Sequence, residues 1–378
     1  MKRAKVYFAN ARSRERKESM VLKLERLLEE SGIMGVFSEG ETVAVKVHMG
    51  HKLCTRYVRP NFIRTIVDKI RDAGGVPFVT DTTGLGLALH PTSSHRYNAK
   101  DYLSMAVEHG FTPETVNAPI IIADGLWGDD DVEVSFDGLK LKKISVAKEI
   151  VQADSVISVA HFKGHDLTGF GGALKNIGVG CTSKAGKFAL HATGKPSINL
   201  DLCDGCGICL KYCFAGAITI KNAKAFINSD KCSGCLHCNG QCPLGAVKVG
   251  WEGSDAFQVK MVDAVAAVMK VVGNEHISYV NFALDITPLC DCAPSSDVPI
   301  VPDIGVFASE DPVAIDKASV DSVNDSIGMP GSAAEEAGAL ARGSDKFRMI
   351  HKLDWNKQFE AATRLGIGSA EYDLIAIS

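Results

Sequence analysis

The sequence predicts an α/β protein, in which a layered domain with a largely parallel sheet carries a smaller, inserted α+β module. Two observations predict this organisation. Short apolar strands alternate with amphipathic helices before residue 197 and again after residue 250, and eight of the twelve cysteines fall between those limits. Such alternation is typical of a parallel sheet covered by helices. We therefore divide the chain into an α/β domain first part (1–196), the module (197–250) and an α/β domain second part (251–378).

Five strands and four helices are predicted in the first part. The apolar periodicity indicates strands at 5–9, 42–49, 76–81, 119–124 and 155–162, and helices at 18–30, 60–73, 99–109 and 146–153. Gly32, Gly74 and Gly110 follow three of these helices, where glycine commonly ends a helix. A hairpin is predicted from 132–136 and 139–144, because Asp137-Gly138 favours a tight two-residue turn.

The alternation of strands and helices resumes after the module. A helix is predicted at 256–272, followed by strands at 277–286 and 304–308. Asp311 and Pro312 are a favourable N-cap and first-turn pair, so a further helix begins there. The tail contains a helix at 355–365 and a last strand at 372–377.

The module is defined by two copies of one cysteine pattern. The copies read Cys203-x2-Cys206-x2-Cys209-x3-Cys213 and Cys232-x2-Cys235-x2-Cys238-x3-Cys242-Pro243. Bacterial two-cluster ferredoxins use this spacing, with three cysteines of each run on one 4Fe-4S cluster and the fourth on the other. The pattern therefore predicts a ferredoxin-like module with two 4Fe-4S clusters, one held by Cys203, Cys206, Cys209 and Cys242 and the other by Cys232, Cys235, Cys238 and Cys213.

Two other interpretations of the cysteines stay open. Zinc also binds CxxC pairs, but it needs four ligands per site and seldom a third cysteine at the same spacing. A disulfide framework fits poorly with a chain that has no secretion signal. One departure from the ferredoxin pattern is Phe214, which follows Cys213 where proline is usual. We expect this change to affect the potential of one cluster more than its occupancy.

Composition limits the partners and the location of the protein. The formal net charge of −4 is spread along the chain and indicates neither a nucleic-acid patch nor a membrane anchor. The basic N-terminus lacks the apolar segment of a signal peptide, so a cytoplasmic protein is expected. Residues 257–272 contain charged side chains and predict a core helix rather than a membrane span. The predicted partner is an unidentified redox protein or a small anionic substrate, and the oligomeric state is not predicted.

Polar residues recur at the predicted strand ends, where open α/β sheets bind ligands. Lys46 and His48 lie at the end of strand 42–49, and Asp81, Asp124 and Asp285 lie at or near the ends of three others. These residues predict a shared cleft. The alternative is that polar residues begin there simply because the strand reaches solvent.

The densest polar stretch is HFKGHDLTGFGGALKNIGVG at 161–180. Its histidines and lysines supply proton donors and cations, and its glycines at a helix start favour an anion. The glycine spacing matches no nucleotide-binding fingerprint, and flavin is not indicated. The candidate catalytic residues are His161, Lys163, His165 and Lys175. The candidate substrate-binding residues from this pattern are Lys46, His48, Asp81 and Asn176.

Four cysteines lie outside the module: Cys54, Cys181, Cys290 and Cys292. The single residue between Cys290 and Cys292 suits two ligands of one metal better than an intrachain disulfide, which would strain the backbone. With Cys181 or a histidine, the pair predicts an additional metal ion. Buried free thiols are the alternative.

The chain resembles the iron-sulfur centre proteins of a broad domain-of-unknown-function family, in which an α/β domain carries an inserted two-cluster module. The resemblance rests on the cysteine runs and on four segments: KVHMG (46–50), DTT (81–83), HFKGHDLTGFGGALKNIGVGC (161–181) and DITPLCDCAPSSDVPIVPDIGVFASEDPVAIDKASVD (285–321). It implies the fold and the clusters and leaves the reaction open. It also adds Asp303, Asp311 and Asp316 as candidates for the cleft.

Three functions are compatible with these observations. The first is a ferredoxin-coupled oxidoreductase, in which two clusters pass electrons to an anion bound and protonated by His161, Lys163 and His165. The second is an electron carrier that docks to other proteins and has no substrate of its own. The third is a metal-handling or cluster-assembly protein that uses Cys290 and Cys292.

Overall fold

A computed structural model describes residues 3–85 and 96–377 of the chain. Its strands are β1 (Ala4–Asn10), β2 (Thr42–Val47), β3 (Val76–Asp81), β4 (Ile120–Ile122), β5 (Asp131–Ser135), β6 (Lys143–Ala147), β7 (Ser155–His161), β8 (Lys163–His165), β9 (Gly169–Gly171), β10 (Ser197–Ile198), β11 (Ile218–Lys221), β12 (Lys224–Ile227), β13 (Val247–Lys248), β14 (Ile277–Ala283), β15 (Gly305–Ser309) and β16 (Tyr372–Ala376).

The α-helices of the same residues are α1 (Met20–Ser31), α2 (Pro60–Asp72), α3 (Ala99–Glu108), α4 (Pro113–Val116), α5 (Lys148–Gln152), α6 (Ala173–Gly178), α7 (Lys184–His191), α8 (Ile208–Lys211), α9 (His237–Gln241), α10 (Ser254–Val272), α11 (Pro312–Asp325), α12 (Ala333–Glu336), α13 (Lys346–His351) and α14 (Asn356–Leu365). None of the helices in the described part of the chain is long and apolar enough to cross a membrane.

The central sheet has eight strands in the order β16-β1-β15-β14-β7-β2-β3-β4. Strands β14, β7, β2, β3 and β4 run parallel, as do β1 and β16. Strand β15 is antiparallel to both of its neighbours. The predicted mixed α/β class with a largely parallel sheet is therefore confirmed.

Both faces of the sheet are covered. Every residue of β7 is buried, as expected for a central strand between two helical layers. Its side chains alternate between two cores, with Val156 in one and Ile157 in the other. The first core includes residues of α6, α10, α11 and α14, and the second includes residues of α1, α2 and α3.

The predicted hairpin exists, but its turn is longer than two residues. Strands β5 and β6 pair with Val134 opposite Ile144, so residues 136–142 form the connection. The carboxylate of Asp263 accepts hydrogen bonds from the backbone N–H groups of Leu139, Lys140 and Leu141, at 2.6–2.8 Å. This tertiary contact holds the longer loop in place. Because β6 extends to Ala147, the helix predicted at 146–153 is the shorter α5.

The two ends of the cysteine-rich segment lie side by side. Strand β10 pairs antiparallel with β13, with Ser197 opposite Lys248. The two halves of the segment repeat each other in detail, because the backbone N–H of Ala217 donates to Cys213 Sγ and that of Ala246 donates to Cys242 Sγ, both at 3.2 Å.

Candidate functional site

A cavity of about 220 Å³ opens at the carboxyl ends of β2 and β7 and beside β3. These strands are parallel neighbours, so their ends meet at one edge of the sheet. Eight residues that the sequence analysis selected line this one cavity: Lys46, His48, Asp81, His161, Lys163, His165, Lys175 and Asn176.

Asp81 is the centre of one polar network in the cavity wall. Its carboxylate is paired with Lys46 Nζ at 2.8 Å and with His48 Nδ1 at 2.8 Å, and it also accepts from the Tyr102 hydroxyl. Lys46 Nζ donates further to Asn176 Oδ1 at 3.0 Å. Lys46 is fully buried and Asp81 is 3% exposed, so the charges of this pair compensate each other away from water.

The network fixes the protonation of His48. Burial alone would raise the pKa of Asp81, but the Lys46 ammonium and the His48 ring hold it below its ordinary value. Burial is the main cause that lowers the pKa of His48. A neutral ring that donates Nδ1–H to Asp81 leaves Nε2 as an acceptor, and this atom lies 3.4 Å from Arg96 Nη1. His48 is thus oriented as a proton acceptor at the cavity.

A second network contains Asp291, the residue between Cys290 and Cys292. Its carboxylate is paired with Lys163 Nζ at 3.1 Å and lies 3.6 Å from His161 Nδ1. The other ring nitrogen of His161 is 2.9 Å from the Leu284 carbonyl oxygen. Burial opposes ionisation of Asp291, but the Lys163 ammonium holds its pKa well below the ordinary value. Asp291 therefore fixes a cation and an imidazole side by side.

His165 has a defined tautomer. Its Nδ1 accepts hydrogen bonds from the backbone N–H groups of Leu167 and Thr168, both at 3.2 Å. Burial, with Lys175 and Lys163 nearby, lowers its pKa well below the ordinary value, so the ring is neutral. The proton of the neutral ring is therefore on Nε2, and His165 is a hydrogen-bond donor.

The cavity is electropositive. Of the described residues that line it, five are cationic side chains, two are carboxylates and four are histidines. Burial, together with Lys163, lowers the pKa of Lys175 to about 7, and burial lowers that of Lys187 to about 8. Within the described residues, Lys175 Nζ has no hydrogen-bond or ion-pair partner, which leaves it available to an anionic ligand.

Sequence reasoning missed four lining residues: Arg96, Lys187, His191 and Asp291. Lys187 and His191 are four residues apart on α7, so both face the cavity from one side of the helix. Residues 184–191 form an eight-residue helix, for which the sequence analysis predicted no element. The signal that was available is the spacing of Lys184, Lys187 and His191, which matches one helical face.

Asp303 does not line this cavity, and its role in substrate binding stays a prediction. Its carboxylate accepts the backbone N–H of Asp285 at 2.7 Å and holds the turn after β14. Asp311 is the N-cap of α11, as the sequence indicated. The carboxylate of Asp316 accepts the N–H groups of Ala173 and Leu174 at the start of α6. These acids stabilise turns and helix ends and do not line the cavity.

Two smaller cavities lie in the module, and each is lined by four cysteines. Cys203, Cys206, Cys209 and Cys242 line one cavity, and Cys213, Cys232, Cys235 and Cys238 line the other, each with a volume of about 20 Å³. In each cavity, three cysteines belong to one run and the fourth belongs to the other run. This membership is the one that the spacing predicted.

The chain contains twelve cysteines and, among the described residues, one group that could hold a metal ion. A ring nitrogen of His165 and the sulfurs of Cys290 and Cys292 all lie within 4.8 Å of one another. The two cysteines are joined in a disulfide. The preference for two free metal ligands over a disulfide is therefore wrong for this structure, and metal binding requires prior reduction.

Cys181 does not join this group. It is fully buried, and its Sγ lies 3.9 Å from the Asn176 carbonyl oxygen. Burial raises the pKa of its thiol to about 12, so a thiolate ligand is not available there at neutral pH. The sequence analysis named Cys181 or a histidine as the third member, and the histidine His165 is the one that lies beside Cys290 and Cys292.

A family model described as "Domain of unknown function (DUF362)" matches residues 43–321. The chain belongs to this family. The match spans every residue of the polar cavity and all eight cysteines of the two four-cysteine cavities in this DUF362 chain. The predicted membership in a family of unknown function is confirmed, and the family description contains no statement about iron-sulfur clusters.

No curated protein matches the DUF362 chain. Among solved structures, the lactate racemase apoprotein from Thermoanaerobacterium thermosaccharolyticum is similar at a TM-score of 0.39 and 12% identity, over 99% of this chain and 83% of that one. A Thermotoga maritima protein is similar at a TM-score of 0.32 and 11% identity, over 71% of this chain and 50% of that one. Similarities this low carry no argument about function.

The DUF362 chain uses close backbone packing to bring β8 and the disulfide together. Gly164 lies between Lys163 and His165, and a Cβ atom there would come within 2.0 Å of the Pro288 carbonyl oxygen. The N–H of Gly164 donates to the Thr287 carbonyl oxygen at 2.8 Å. Glycine is thus required for the close approach that sets His165 beside Cys290 and Cys292.

Proposed function

We propose that this protein is an iron-sulfur oxidoreductase. Two 4Fe-4S clusters, held by the two groups of four cysteines, would supply single electrons to a small anionic substrate in the polar cavity. The observation that carries the proposal is the interleaved membership of the two four-cysteine cavities.

The spacing of the sulfurs favours clusters over zinc. Four thiolates around one zinc ion, at about 2.3 Å each, lie roughly 3.8 Å apart. None of the eight module cysteines belongs to a group of three whose ligand atoms lie within 4.8 Å, although all eight are among the described residues. A four-iron cube separates its thiolates more widely than a single ion does. The cavities are therefore better suited to clusters.

Backbone donors also fit thiolate ligands. Ala217 and Ala246 each donate an N–H to a cysteine Sγ at 3.2 Å, and Ala225 donates to Cys203 Sγ at 3.4 Å. Such hydrogen bonds stabilise the charge on cluster ligands and influence the reduction potential.

Helix α7 connects the second cysteine cavity with the polar cavity. Phe188, on one side of α7, packs against Leu236, and Leu236 lines the cavity of Cys235 and Cys238. From the same helix, Lys187 and His191 line the polar cavity. Both sites therefore contact α7, which would place a cluster in the second cysteine cavity close to the polar cavity.

The polar cavity suits an anion that gains electrons and protons together. Its surplus of cations attracts carboxylate or phosphate groups. Lys175 has a pKa of about 7 and exchanges protons readily near neutral pH, and His165 presents an N–H donor. In this assignment Lys163 and His161 are held by Asp291 and orient the substrate, which narrows the roles that the sequence analysis gave them.

The electron-carrier alternative does not explain why ionisable side chains line the polar cavity. Burying ionisable side chains costs free energy unless they are paired, and a carrier without a substrate gains nothing from an unpaired lysine in a cavity. Lys175 is the group that the carrier hypothesis leaves unexplained.

Iron analysis tests the proposal. Protein purified without oxygen should contain about eight iron atoms and eight acid-labile sulfides per chain, as expected for two cubanes. The double variant Cys232→Ala/Cys235→Ala should retain about four of each, since the other cysteine cavity is intact.

A matched control uses cysteines outside both cavities. The double variant Cys54→Ala/Cys181→Ala removes two buried free thiols and should leave the iron content unchanged. Zinc in place of iron, or an equal loss of iron in both double variants, would refute the cluster assignment.

A further inference from the structure

We infer that Cys290 and Cys292 form a redox-active pair that reduces a small anionic disulfide by thiol-disulfide exchange. This inference deepens the proposed function and rests on it for the supply of electrons. It names the class of substrate and the atoms that react, both of which the proposed function leaves open.

The two sulfurs differ in access. Cys292 lines the polar cavity and is half-buried, whereas Cys290 is 5% exposed and does not line it. In dithiol chemistry the accessible sulfur attacks the substrate and the buried sulfur resolves the intermediate. The structure therefore makes Cys292 the attacking cysteine and Cys290 the resolving cysteine.

The surroundings favour a thiolate and supply a proton. A ring nitrogen of His165 lies within 4.8 Å of both sulfurs, and Lys163 and Lys175 line the same cavity as Cys292. Nearby cations stabilise a thiolate, which is the attacking species. His165 is the histidine beside the two sulfurs, and we assign it as the proton donor to the thiolate that leaves.

The reaction balances as follows. Cys292 thiolate attacks one sulfur of the substrate RSSR, which forms a mixed disulfide and releases RS⁻. Cys290 thiolate then attacks Cys292 Sγ, which restores the protein disulfide and releases the second RS⁻. Two electrons from the proposed clusters and two protons return Cys290 and Cys292 to thiols, so that the net change is RSSR + 2 e⁻ + 2 H⁺ → 2 RSH.

Positive charge selects the substrate. Five cations and two carboxylates line the cavity around Cys292, so disulfides that carry carboxylates are attracted and those that carry amines are repelled. Two symmetric reagents isolate this effect, because bis(carboxymethyl) disulfide and cystamine differ in the sign of their end groups.

The experiment traps the mixed disulfide. The Cys290→Ser variant, iron-loaded and pre-reduced, is exposed to each reagent, and peptides are mapped by mass spectrometry. Bis(carboxymethyl) disulfide should form one stable adduct on Cys292, roughly tenfold or more faster than cystamine. The Cys290→Ser/Cys292→Ser variant is the control and should show no adduct on that peptide. The variant Cys290→Ser/His165→Gln should release the first thiol roughly 10²-fold more slowly if His165 donates the proton.

The outcomes separate this inference from the proposed function. Missing iron in the wild-type protein overturns the electron supply, while the trapping result is read from the peptide alone. Full iron content with no adduct on Cys292, or equal rates with both reagents, overturns the exchange reaction. A stoichiometric metal that the reduced protein binds and the Cys292→Ser variant loses would assign a metal site instead.

Discussion

Substitution of Asp81 by asparagine should destabilise the protein strongly, because it leaves a buried lysine without a counter-charge. Lys46 is fully buried, and its Nζ lies 2.8 Å from Asp81 Oδ1. Asparagine still accepts hydrogen bonds from His48 and Tyr102, so the main loss is the charge opposite Lys46. Removing one partner of a buried pair costs about 3–5 kcal/mol in the free energy of unfolding.

The measurement is equilibrium unfolding in urea, followed by tryptophan fluorescence. The additional substitution Lys46→Met removes the orphaned charge, so the double variant should lose about 1–3 kcal/mol less than the sum of the single variants. Asp137→Asn is the matched control, because Asp137 pairs with Lys142 on the surface with 98% of its side chain exposed, and no measurable change is expected.

The pH dependence of the free energy of unfolding is a second test of the Lys46–Asp81 pair. The pKa of Asp81 is lower in the folded protein than in the unfolded chain, so its contribution to stability is present above pH ~4 and is lost as pH falls below that value. The difference between wild type and Asp81→Asn should therefore shrink on acidification. A difference of less than about 1 kcal/mol at pH 7 would refute the reasoning that the pair supports the cavity wall.

Three further predictions follow from single contacts. Lys175→Met should weaken the binding of a small dicarboxylate probe, measured by calorimetry. The affinity of the wild-type protein should fall as pH rises through about 7, where Lys175 loses its proton. A Lys175→Met variant with the same pH dependence would contradict the role of Lys175 in anion binding. Asp263→Asn should lower the free energy of unfolding by about 1.5–3 kcal/mol, measured in urea, because one carboxylate accepts three backbone N–H groups. Phe214→Pro should keep the iron content and shift the potential of one cluster in a redox titration, because Phe214 packs on His237 at 5.3 Å between ring centroids.

The sequence alone predicts the residues at the base of the cavity, because successive side chains of a strand point to alternate faces of the sheet. Once 42–49, 76–81 and 155–162 are predicted as parallel strands, their carboxyl ends must meet, and Lys46, Asp81 and His161 come together. The order of the eight strands and the antiparallel direction of β15 depend on contacts between distant segments, which a local pattern does not contain.

The walls of the cavity were less predictable for a similar reason. Asp291 belongs to the site because a loop after β14 brings it to Lys163, and nothing local in Cys290-Asp291-Cys292 indicates that contact. Asp303 also follows β14 in the chain, yet its carboxylate accepts the backbone N–H of Asp285 and closes a turn there. Polar residues in loops acquire their roles from packing partners that are far away in the chain.

The module is joined to the rest of the chain at the end of helix α7. Helix α7 ends at His191, which lines the polar cavity, and Ala192 pairs at once with Trp251 in an isolated bridge. The segment between them therefore starts and ends against the helix that forms the cavity wall. A Cβ atom on Gly234 would come within 2.3 Å of the Phe188 ring, so the second cysteine run packs directly on α7. Under the proposed function, this attachment would hold the second cysteine cavity beside the helix that lines the polar cavity.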